Sequence, residues 1–172
     1  MPADDAVAAL RVLEARVRAL EDAEAIRRLK ARYAERVDAR YADGRIAEPA
    51  AVEELARQIA ALFTEDAVWD GGPALGLCRG RDAIRERMAK PTLHFSWHYF
   101  VKPRIEVDGD RATGRWDLLA PCTTSDDRPM WMAGVEDDVY RRVGGEWLHA
   151  SMKLRVVFMA PHDRGWAKRK PG

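Results

Sequence analysis

Cysteine is scarce in this 172-residue chain, and only Cys78 and Cys122 are present. They stand far apart and lack the close pairing of zinc ribbons or redox motifs, so a disulfide framework and a cysteine-held metal are both excluded. No apolar run approaches the roughly 20 residues that span a bilayer, which leaves no membrane partner to expect. The start, MPADDAVAAL, has acids where a secretory leader needs bases, and the chain reads as cytoplasmic. Neither sign of charge dominates, since 29 basic and 28 acidic side chains leave a formal net charge of +1. A net positive field of the kind that holds nucleic acid is therefore missing. The short basic cluster Arg164, Lys168, Arg169 and Lys170 reads as a solvated tail. The motifs GxSxG, GxGxxG and the Walker loop are absent too, which removes serine hydrolysis and nucleotide chemistry.

What is present divides in two. The first 66 residues are rich in Ala, Arg, Glu and Leu, whereas all six tryptophans follow them. Leu10, Leu13, Val17 and Leu20 recur at steps of three and four, and Ile26, Leu29, Tyr33 and Val37 continue the rhythm, predicting one long amphipathic helix or two in near-continuation. Asp43-Gly44 and Pro49 interrupt it, and PAAVEELARQIAALF starts another helix with proline in its first turn. AVWDGG predicts a short strand, GRDAIRERMAK a short helix, and from Tyr99 onward long strands alternate with turns at DGD 108–110, TTSDDRP and Gly144-Gly145. Helices first and an antiparallel meander afterwards predict a single α+β domain over 1–172, with helices on one face of a curved sheet.

The chemistry gathers at LHFSWHYF, residues 93–100, where His94 and His98 stand four apart among aromatic residues. Their spacing imitates a zincin helix, but Phe95 occupies the place of its glutamate, so no metal site is expected. An imidazole in so apolar a run needs a hydrogen-bond partner, and a carboxylate would make it a general base near neutral pH. Asp38, in RYAERVDARY, is the candidate partner, although at about 100° per residue it lies on the flank of the apolar helix face. On the residues alone, His98 is either such a base or a satisfied core histidine. His94 reads as structural or as part of a pocket rim.

DAEAIRRLKARYAERVD, LFTEDAVWDG, HYFVKPRIEVDGDRATGRW and VYRRVGGEW together resemble the SnoaL-like branch of the nuclear transport factor 2-like superfamily, from Ala23 to about Phe158. The resemblance implies a cone-shaped α+β barrel and is closest to bile-acid 7α-dehydratases and hexachlorocyclohexane dehydrochlorinases, with scytalone dehydratases more distant. By the dehydratase pattern, the catalytic tyrosine and aspartate fall on Tyr33 and Asp38, and the histidine on His98 ahead of Pro103. The dehydrochlorinase pattern places its His-Asp dyad on the same pair. Arg155 corresponds to a catalytic arginine after a one-residue gap, and Trp69, Trp116, Leu118 and Met132 correspond to substrate-lining positions or else to ordinary sheet core. A further acid of the bile-acid enzymes is Ala120 here, and the stretch from Ile46 to Ala61 is an insertion.

The resemblance therefore implies a cofactor-independent lyase, a dehydratase or hydratase acting on a small apolar or polycyclic substrate with an activating carbonyl. It also implies a homo-oligomer formed through the open sheet face. An isomerase or polyketide cyclase with the same dyad is the alternative, as is a non-catalytic ligand-binding protein or an oxygenase β subunit.

Overall fold

The computed structural model describes residues 3–163, so the basic cluster at Arg164, Lys168, Arg169 and Lys170 lies outside the described residues. Helix α1 runs unbroken over Ala3–Asp38, and its second half carries Ile26, Leu29, Tyr33 and Val37 into the core. The Asp43-Gly44 turn, with Gly44 at φ 75°, joins the two-residue strands β1 (Tyr41–Ala42) and β2 (Arg45–Ile46). Proline then opens α2 (Pro49–Ala60), whose Val52, Ala56 and Ile59 are buried. Three shorter elements follow β3 (Phe63–Asp70): the single turn α3 (Gly72–Leu75), β4 (Leu77–Arg79) and α4 (Arg81–Met88).

One sheet holds the rest: β5 (Phe95–Ser96), β6 (Tyr99–Asp108), β7 (Arg111–Thr123), β8 (Pro129–Val143) and β9 (Glu146–Pro161). Its order is β4-β3-β9-β8-β7, with β5 and β6 following one another along the free edge of β7. Every pairing is antiparallel except that of β3 with β9, which is parallel and joins segments far apart in the chain. The β8–β9 turn places Gly144 and Gly145 at φ 60° and 88°, a pair that residues with a Cβ adopt at a cost.

Edge strand β6 carries a register shift between Val101 and Arg104, with Lys102 at φ 53° and Pro103 inside it. Proline has no N–H for a ladder, and a bulge on an edge strand is where it is tolerated. The irregularity separates the end of β6 that follows His98 from its regular continuation.

The long helix does not present one continuous apolar face. Ile26 and Leu29 are fully buried, whereas Leu10, Leu13, Val17 and Leu20 are exposed. At about 100° per residue, the mean directions of the two sets lie roughly 170° apart around the helix axis. The rhythm that reads as continuous in sequence is two stripes on nearly opposite sides. Only the second meets the sheet.

A candidate acid-base site between helix α1 and strand β6

Asp38 is the last residue of α1 and is 4% exposed, one residue beyond Val37 in the core. His98 lies just before β6, in the two-residue step from β5, where the chain leaves the ladder and its backbone N–H is free for a side-chain acceptor. Asp38 takes both. The His98 Nδ1 lies 2.6 Å from Asp38 Oδ1, and the His98 backbone N–H donates to the same carboxylate at 3.1 and 3.2 Å. A carboxylate accepts only, so the imidazole proton resides on Nδ1 and Nε2 carries the lone pair.

The other ring nitrogen is turned inward. Nε2 accepts a long hydrogen bond, 3.4 Å, from the hydroxyl of Ser96, which is buried on β5. His98, Ser96, Tyr33 and Trp69 share a small inner cavity of about 60 Å³, covered on one side by Leu75 and by Pro91, Thr92 and Leu93. Arg87 clasps this cover: its guanidinium donates to the carbonyls of Leu75 and Lys90 and to Thr92 Oγ1. On the other side of the histidine, Asp38, Phe100 and Trp116 face an open, largely apolar cleft of about 770 Å³ between α1 and β6. The dyad forms part of the wall between the two spaces.

Tyr33 is 4% exposed, and burial pushes its phenol far above the ordinary range, with the negative charge of Glu136 adding to the effect. Its oxygen accepts the Trp69 indole N–H at 3.2 Å, which leaves the phenolic hydrogen free to donate. Trp69, on β3, is thus both a wall and an orienting donor.

The remaining expected residues separate. Trp116 borders the cleft, and its indole N–H donates to the Tyr140 hydroxyl at 2.9 Å. Leu118 and Met132 pack with Ala120 and Leu154 in a small apolar cluster beside the main core. Arg155 is exposed and projects from the face opposite buried Met152 and Leu154, so the structure places it outside the site. The shift in β8–β9 pairing between Ala133 and Gly134 lies next to it, and the strand's alternation sends the guanidinium outward. His94 is half-exposed and paired through Nδ1 with Asp127 at 2.7 Å, apart from the dyad. Among the described residues no three His, Cys, Asp or Glu side chains gather as a metal site would need.

A charged cluster beneath the cleft escaped the sequence reading. Lys30 is 1% exposed and donates to Glu136 and, at 2.7 Å, to Asp138. Its ammonium also sits 4.2 Å from the centre of the Phe100 ring, which itself stacks on His98 at 6.0 Å. Tyr140 donates to Asp138 at 2.7 Å, completing a chain from Trp116. Burial would strip Lys30 of its proton, but Asp138 and Glu136 outweigh it and raise its pKa. Burial pushes Asp138 up to about 6; Lys30 opposes the shift and Glu136 adds to it. His149, fully buried among the rings of Phe63, Tyr33 and Tyr140, has its pKa driven well down by burial and by Lys30. Signals for this cluster existed: Lys30 falls between Ile26 and Tyr33 on the core stripe, and Glu136, Asp138 and Tyr140 alternate on one strand face.

Residues 18–153 match the model of the SnoaL-like domain. None of the curated proteins matches this sequence. Among solved structures, a hexachlorocyclohexane dehydrochlorinase (LinA type 2) superposes with a TM-score of 0.69 at 23% identity, over 89% of this chain and 96% of that one. A scytalone dehydratase candidate from Novosphingobium aromaticivorans gives 0.66 at 22% identity, over 87% and 97%. An NTF2-like protein with a cystatin-like fold, also from Novosphingobium aromaticivorans, gives 0.65 at 24% identity, over 84% and 88%. These likenesses establish an NTF2-like, cystatin-like α+β fold with a strongly curled sheet.

Proposed function

The chain belongs to the SnoaL-like domain family, and on that premise we propose that it is a cofactor-independent small-molecule lyase, a dehydratase acting on a carbonyl-activated polycyclic or terpenoid-sized substrate. The observation that carries this reading is the orientation of His98. Asp38 holds both its Nδ1–H and its backbone N–H, and Nε2, engaged by the Ser96 hydroxyl at a long 3.4 Å, borders the cavity shared with the Tyr33 hydroxyl.

Each step then has a group to perform it. His98 Nε2 takes the proton on the carbon next to the substrate carbonyl, and the negative charge of Asp38 stabilises the imidazolium that forms. The bond electrons move onto the carbonyl oxygen, where the Tyr33 O–H donates a hydrogen bond to the developing enolate. The electrons return as the hydroxyl on the next carbon departs, taking the proton from His98 to leave as water. Burial keeps Tyr33 neutral and a donor throughout.

The inner cavity is far smaller than the roughly 300–1,000 Å³ of ordinary ligand pockets, so a substrate of this size enters it only if the Arg87-clasped segment shifts. Closure over the substrate excludes water from the enolate. Outside the site, Leu119, Val139, Val143 and Val157 are exposed on the sheet. They support self-association through that face.

The test is a panel of polycyclic β-hydroxy ketones incubated with the protein, with the conjugated enone product followed by ultraviolet absorbance. The expected result is turnover of at least one member and a loss of about 10²-fold or more in His98→Ala. Tight binding of panel members without turnover would place the chain among ligand-binding proteins instead.

A further inference from the structure

The amino-terminal half of α1 makes little sense as part of an isolated chain. From Asp5 to Glu21 every residue is exposed, yet Leu10, Leu13, Val17 and Leu20 remain 55%, 54%, 51% and 71% accessible along one stripe. A helix of this length draws most of its stability from packing an apolar face, and here none of its own chain covers that face. Nor can the chain's own sheet do so, because the stripe points roughly 175° away from the core-facing Ile26, Leu29, Tyr33 and Val37.

The spacing of the four residues is that of a coiled-coil seam. Leu10 and Val17 take the a positions, Leu13 and Leu20 the d positions, and Arg16 and Glu21 then fall at g and the following e. In a parallel, in-register pair, each g residue faces the partner's next e residue, so Arg16 meets Glu21 of the other copy twice over. In an antiparallel pair e faces e, which would set Glu14 and Glu21 against each other. The seam also lies on the side of the helix away from the sheet. Parallel arms therefore leave the two globular bodies on the outer flanks, without collision.

We propose that this arm packs, parallel and in register, on the arm of a second copy of the chain. The contact is separate from self-association through the sheet face and independent of the enzymatic reading.

The test uses the full chain. In Leu13→Cys, like residues face each other across the seam, so mild oxidation should give a disulfide-linked dimer; Arg11→Cys, at an outward position, and the unmodified chain should give none. Arg16→Glu or Glu21→Arg alone should weaken arm association in sedimentation equilibrium severalfold, and an equal mixture of the two should restore it, because the exchanged charges again face opposites. Circular dichroism of each variant establishes that the body is folded. A Leu13→Cys chain that cross-links no better than Arg11→Cys, or a mixture that associates no better than either variant alone, would overturn the proposal.

Discussion

Asp38 accepts hydrogen bonds from two donors of a single residue, the Nδ1–H of His98 at 2.6 Å and its backbone N–H at 3.1 Å. One carboxylate thus fixes where the histidine's main chain sits and which way its ring points. The end of α1 and the start of β6, sixty residues apart, are tied at the atoms that would perform the chemistry.

Tyr33→Phe keeps the ring in the core but removes the O–H donor and leaves the Trp69 N–H without its acceptor. We expect kcat to fall by about 10²- to 10³-fold, as for loss of one oxyanion donor. Stability should drop by about 1–3 kcal/mol from the orphaned indole. Steady-state kinetics with urea unfolding separates the two effects, and an unchanged kcat would remove Tyr33 from the mechanism.

Lys30→Met leaves Glu136 and Asp138 buried without their counter-charge. The expected cost is about 3–5 kcal/mol. Adding Glu136→Gln and Asp138→Asn should return most of it, since the uncompensated charge disappears. Denaturant midpoints of the single and triple variants measure this directly.

The buried imidazole of His149 makes stability depend on acid. Its folded pKa lies well below the ordinary 6.5, so below about pH 6.5 the unfolded chain binds a proton that the folded chain refuses. Stability therefore falls as pH drops from 7 toward 5, by up to about 1.4 kcal/mol per pH unit. Asp138 works in the opposite sense: raised to about 6, it binds a proton in the folded state first, so its contribution improves as pH falls from about 6 to 4. Comparing wild type with His149→Phe removes the imidazole's part while the Asp138 carboxyl, 3.9 Å from His149 Nδ1, stays in both. The difference between their unfolding free energies should shift against wild type on acidification, and a pH-independent difference would contradict the assignment.

Local chemistry made much of this fold legible. Asp108-Gly109, Gly144-Gly145 and Pro49 act within a few residues of themselves, and the turns and helix start stand where they predict. The β3–β9 pairing is parallel and joins distant segments, so no local pattern announces it. Asp38 looked marginal because a helical wheel treats it as the flank of a stripe, whereas α1 ends on it and His98 closes over that end. Arg155 depended on strand facing near a register shift, which the sequence does not display. In the sequence the charge of Lys30 argues against burial, although its position near the core stripe places it inside.

The account stands most directly on turnover by three variants, His98→Ala, Asp38→Asn and the two combined, each checked for folding by circular dichroism. His98→Ala deletes the proton acceptor and should cost about 10²-fold or more. Asp38→Asn keeps the shape but loses the charge that stabilises the imidazolium and alters the tautomer, so kcat should fall strongly with little change in KM. Because the two side chains act as one unit, the account predicts a double variant scarcely slower than His98→Ala alone. Near-normal turnover without His98, or losses that multiply fully in the double variant, would contradict it.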